Sequence, residues 1–157
     1  MEMFETEKSG NDMYARGHET VEHGADMGIK GRGRSAEEAF EETAVAMMEL
    51  LTDSRGLVPE RSICIDCKGD DLSGLLIEFL NSILLKSDLE ELAVFEVTIT
   101  RMDRIEGEWV LEASAGGMPR KGIPERLLSE VKAATYCGVS VEQVAPGRWE
   151  AGCVVDM

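Results

Sequence analysis

Residues 70–85 read DDLSGLLIEFLNSILL, and this stretch decides the fold class. Leu72, Leu75, Leu76, Phe79, Leu80, Ile83 and Leu84 recur at steps of three and four, which lines them along one face of an α-helix. Asp70 or Asp71 stands where a helix needs an N-cap acceptor. An apolar stripe this regular must lie against a sheet or a second helix. The run carries Glu78 and Asn81 and falls well short of the ~20 apolar residues that cross a bilayer, so no membrane association is expected. Asn81 reads as a surface or helix-packing amide rather than a catalytic one.

A second helix begins at Ser35-Ala36-Glu37-Glu38, a capping box in which Ser35 and Glu38 satisfy otherwise unpaired amides. Ala36, Ala39, Phe40, Ala44, Met47, Leu50 and Leu51 form its apolar face, Met47 and Met48 read as core filling, and Asp53-Ser54-Arg55-Gly56 ends it. The rest of the chain alternates with period two. MGIKGRGR (27–34) reads as a short strand ending in a turn at Gly31-Arg32-Gly33, since the glycine spacing fits neither phosphate-loop pattern. RSICIDCK (61–68) is a strand. Phe95, Val97 and Ile99 pair with Trp109, Leu111, Ala113 and Ala115 across a turn near Ile105-Glu106-Gly107, as a hairpin. A helical turn in PERLLSEV precedes a strand through VKAATYCGVSVEQV, and WEAGCVVDM is the last strand, with Trp149, Ala151, Cys153 and Val155 on one face. The expected architecture is α+β in two layers, with two main amphipathic helices packed on a mixed, largely antiparallel sheet.

At 157 residues the chain suits one domain. Residues 1–17 hold few core-forming side chains and include Ser9-Gly10-Asn11-Asp12, so they are expected to be a flexible extension, with a single domain over 18–157. The N-terminus is polar and acidic, unlike a signal peptide, which points to the cytoplasm. The 31 acidic and 16 basic residues give a net charge of −15. Nucleic-acid affinity comes from Lys and Arg releasing phosphate counterions, so direct binding of RNA or DNA is not expected. A basic protein surface or a cation is a better partner.

Chemistry-bearing motifs are few. Cys64 and Cys67 have C-x-x-C spacing, but on a strand they face opposite sides and cannot share a metal. His18 and His23 stand five apart, not the four that a zinc-protease helix requires. No Ser or Cys lies in a nucleophile elbow. Carboxylates remain. Glu22, His23 and Asp26 cluster in EHGADMGI (22–29), and Asp156 sits beside Met157 with its terminal carboxylate; hard oxygens of this kind suit calcium or magnesium. From spacing alone, Asp26 as a turn cap and a merely solvated chain end account for the same residues.

Four blocks, in order, resemble the archease family. EHGADMGIKGRGRSAEEAFEETAVAMMELLTD resembles its E-H-T-A-D-x-G segment with the following strand and helix. DDLSGLLIEFLNSILL resembles its L-L-x-x-W-L-N-x-L-L helix, AATYCGVSV its A-x-T-Y-H segment, and WEAGCVVDM its terminal strand. Gly24, Phe79 and Cys137 depart from the family's Thr, Trp and His, so no role of that His is credited to Cys137. The resemblance implies an activating, chaperone-like partner of the RtcB-type RNA-splicing ligase in tRNA splicing, which promotes guanylylation and multiple turnover of the ligase without catalysing a reaction itself. It also implies a divalent-cation site at Asp26, Asp156 and Met157, with calcium first and magnesium or manganese as alternatives. Glu22 and His23 then become supporting groups, and the last strand must run beside the strand that EHGADMGI introduces. Two other functions fit the residues less closely: a metal-dependent hydrolase with Glu22 or His23 as base, and a general holdase.

Overall fold

The structure is a computed structural model that describes residues 16–157; most of the expected N-terminal extension, residues 1–15, lies outside the described residues. Among the described residues, eight strands and two long helices follow one another as β1 (Gly17–His23), β2 (Asp26–Gly33), α1 (Ala36–Leu51), β3 (Arg61–Gly69), α2 (Leu72–Glu90), β4 (Leu92–Ile105), β5 (Glu108–Pro119), β6 (Ala133–Ala134), β7 (Ser140–Ala145) and β8 (Arg148–Asp156). The α+β class holds, but there are two sheets where the sequence suggested one. A five-stranded sheet runs β1-β2-β8-β6 with β7 also on β8, and a three-stranded sheet runs β3-β5-β4. Every pairing is antiparallel.

Both helices begin as their sequences require. Ser35 Oγ accepts from the Glu38 amide at 3.1 Å, while Glu38 reaches back to the amide of Arg34 rather than Ser35. The capping box therefore spans one residue more than expected. Asp71 is the cap of α2, its carboxylate accepting from the Gly74 amide at 2.7 Å. Leu75, Leu76, Phe79, Leu80, Ile83 and Leu84 are all buried, as are Met47 and Met48. Phe79, at the family's Trp position, stacks on Phe40 of α1 with ring centroids 6.1 Å apart. α1 touches β1, β2 and β8 of one sheet and β4 of the other, and α2 likewise meets strands of both sheets. One continuous core results; burying such side chains contributes roughly 1.5–3 kcal/mol each before entropy is subtracted.

Gly31 and Gly33 do not form a turn. They stand inside β2, opposite Ala151 and Trp149 of β8, where α1 crosses so closely that a Cβ on Gly31 would lie 2.3 Å from the Thr43 nitrogen and 2.5 Å from the Ala39 carbonyl oxygen. Glycine is required here by the approach of a helix backbone. The β4–β5 hairpin is as read, with Val97 opposite Ala115 and Ile99 opposite Ala113. Its two-residue turn, Glu106-Gly107, has positive φ at both positions, 53° and 82°, the conformation that matches strand twist.

β1 had no counterpart in the sequence reading. Its residues alternate polar with polar, so period two is invisible, yet it pairs along its whole length with β2. Arg16 and Gly17, assigned to the N-terminal extension, are tied down: Gly17 pairs with Arg32, and Arg16 bonds to Glu41 and Glu42. The single strand expected through VKAATYCGVSVEQV is one strand position broken in two. β6 and β7 lie on the same edge of β8, and the turn between them still bonds to it, Thr135 donating to the Val154 carbonyl and Val154 to that of Cys137.

Candidate metal centre

Asp26 opens β2 and Asp156 closes β8. These strands are antiparallel neighbours, with Met27 opposite Val155 and Ile29 opposite Cys153. One step beyond Met27–Val155 the same register sets Asp26 across from Asp156, and side chains directly opposed in this way have Cβ atoms roughly 5 Å apart. Asp26 and Asp156, 130 residues apart in the sequence, thus come together at one end of one sheet. The contact is direct: the Met157 amide donates to Asp26 Oδ1 at 3.2 Å.

Local sequence explains why Asp26 stands there. Gly24 and Ala25 make a two-residue hairpin turn between His23 and Asp26, which pair across it. Gly24 has φ +65°, a left-handed conformation that glycine adopts at little cost. Because β-strand side chains alternate, His23 shares the face of Asp26, while Glu22 and His18 take the other. EHGAD therefore splits: His23 flanks Asp26 and Glu22 points away from it. On the far face, His18 meets α1, so the two histidines are on opposite sides of the sheet.

A third strand completes the surroundings. Ala133 of β6 pairs with Asp156, and the Lys132 amide donates to the Asp156 carbonyl at 2.8 Å. β6 is only two residues long and is held on its outer edge by a side chain. Asn81 of α2 donates through Nδ2 to the Ala134 carbonyl at 3.1 Å and accepts from the Ala134 amide at 2.8 Å. Its amide imitates one residue of a neighbouring strand. Of the two sequence readings of Asn81, surface or packing amide, the packing one holds: it ties α2 to the strand that borders Asp156.

The donors fit a hard cation. Apart from the Met157 amide on Asp26 Oδ1, the Asp26 and Asp156 carboxylates have no partner, and no Lys or Arg pairs with either, among the described residues. Two unneutralised carboxylates side by side repel, and a divalent cation relieves that repulsion. No three His, Cys, Asp or Glu side chains gather at metal-binding distance among the described residues, so a cation held by Asp26 and Asp156 would need further oxygens, such as those of the Met157 main chain. The thiols offer nothing comparable. Cys64 is exposed on one face of β3; Cys67, on the other, is pushed up to about 12 by burial and by Glu78 and Asp66.

The family profile described as "Archease protein family (MTH1598/TM1083)" matches residues 18–157. The chain belongs to the archease family. It is 37% identical over 142 residues to protein archease of Pyrococcus furiosus, covering 88% of this chain and 97% of the relative. It is 31% identical to protein archease of Methanosarcina mazei over 89% of this chain and 95% of that protein. Among solved structures it resembles the solution structure of Methanobacterium thermoautotrophicum protein 1598, with a TM-score of 0.75 and 26% identity, over 90% of this archease and 99% of that chain. No helix of this archease is long and apolar enough to cross a membrane among the described residues.

Proposed function

We propose that this archease is an activating partner, not itself a catalyst, of an RtcB-type RNA-splicing ligase in tRNA splicing, and that it promotes guanylylation and repeated turnover of the ligase. The activation depends on a divalent cation, calcium first among the candidates, held by Asp26, Asp156 and the main-chain oxygens of Met157. The observation that carries the reading is the meeting of Asp26 with Met157 at 3.2 Å, which joins the two halves of the expected ligand set across 131 residues of sequence. A bound cation would supply positive charge between these carboxylates. The protein's own part is orientation: the Met157 amide fixes one oxygen of Asp26, and β6 fixes the main chain of Asp156. The net charge of −15 suits docking on the basic surface of an RNA-binding enzyme, and the proposed place of action is the cytoplasm.

The test is a ligation assay with limiting ligase, with and without this protein, across calcium, magnesium and manganese. Asp26→Asn and Asp156→Asn should each abolish the stimulation while leaving the thermal unfolding midpoint within a few degrees of wild type, since both are at the sheet's end. Unchanged multiple-turnover ligation with either variant would refute the cation-dependent mechanism.

A further inference from the structure

The inner face of β1 carries a charge cluster with no part in the candidate metal centre. His18 Nδ1 lies 2.8 Å from Glu42 Oε1 and His18 Nε2 lies 2.9 Å from Glu49 Oε1. Glu42 and Glu49 are seven residues apart on α1, two turns along one face, so a single imidazole bridges both. Arg16 completes the cluster, bonding Glu42 at 2.7 Å and Glu41 at 2.9 Å; Glu41 in turn accepts from the Ile99 amide of β4 at 2.7 Å. β1, α1 and the second sheet are joined through these groups.

The geometry selects a protonation state. A neutral imidazole has one N–H and one lone pair, so it can donate to only one of two carboxylates and must present the lone pair to the other. Only the imidazolium donates to both. We infer that His18 is a proton-dependent latch that fastens edge strand β1 to α1, closed when the ring is charged and loosened when it is neutral. The charged groups facing the ring are Glu42 and Glu49 from α1, with Arg16 and Glu41 behind them; Glu22 shares its face of β1. Opposite His18, β2 offers Gly31, which has no side chain. Burial by itself would lower the ring's pKa, but the bonds to Glu42 and Glu49 outweigh it and the net shift is upward.

The sign follows from that shift. A folded-state pKa above the ordinary ~6.5 means that the latch contributes fully below ~6.5 and is lost as pH rises through the folded value. Between the two values, opening of β1 releases one proton, so its opening constant should rise about tenfold per pH unit and then level off. The experiment is NMR on the full chain. His18 and His23 are the two histidines, and His23→Gln leaves a single ring to follow. The expected result is a His18 ring protonated on both nitrogens and titrating above 6.5, with β1 amide protection, normalised to intrinsic exchange, falling in step while β8 stays constant. His18→Gln should abolish that pH dependence, and Glu42→Gln should move it to lower pH. A His18 that titrates at or below 6.5, β1 protection that is flat with pH, or a pH dependence that persists in His18→Gln would overturn the inference.

Discussion

Replacing Asn81 by alanine removes both hydrogen bonds that hold the outer edge of β6. The partner left behind is Ala134, 5% exposed, whose amide and carbonyl water cannot readily reach. Each buried backbone group stranded this way costs about 1–3 kcal/mol, and partial relaxation brings the expected total for Asn81→Ala to about 2–4 kcal/mol. For a chain of this size each kcal/mol moves the unfolding midpoint by roughly 2–4 °C, so a fall of about 5–15 °C is expected. Asn81→Asp sharpens the test, because a carboxylate still accepts from the Ala134 amide but sets an oxygen against its carbonyl; it should destabilise at least as much despite nearly identical shape. Urea unfolding gives the energies, and hydrogen exchange at Ala134 reports the bond itself. A cost below about 0.5 kcal/mol for Asn81→Ala, with Ala134 still protected, would show that the side chain does not clamp β6.

Two further outcomes test the packing directly. Gly31→Ala drives a methyl into the α1 backbone near Thr43 and Ala39, and should cost about 3 kcal/mol or more because backbone cannot rotate away; equilibrium unfolding within 1 kcal/mol of wild type would contradict the close approach. Burial pushes Cys67 and Cys153 up to about 12, leaving roughly one thiolate in 10⁴ at pH 8, whereas Cys64 and Cys137 are exposed. A thiol reagent should label two cysteines per native chain and four after denaturation, and rapid labelling of four in the native protein would refute the assignment.

Helix positions were legible because their signals are local. The three-and-four spacing from Leu72 to Leu84 and the Ser35 cap act over a few residues, and the middles of both stripes, Ala39 to Met47 and Leu75 to Leu84, are buried. The β4–β5 hairpin was legible for the same reason, since its partners are joined by a two-residue turn. β1 was not, because GHETVEH has no apolar alternation and is held by backbone pairing and by the His18 and Arg16 contacts to α1. The division into two sheets was equally hidden, as it depends on which distant strands pair.

The candidate metal centre divides in the same way. The sequence by itself showed hard oxygens at Asp26 and at Asp156 and Met157, equally accounted for by a turn cap and a solvated chain end, and only the family likeness joined them into a ligand set. Only the tertiary structure decided that they meet, through the β2–β8 pairing, that His23 rather than Glu22 flanks Asp26, and that Asn81 holds the third strand in place. Backbone pairing carries no residue code: β2 and β8 bond through amides and carbonyls that every sequence possesses. Which strands become neighbours is therefore fixed by the packing of the whole core.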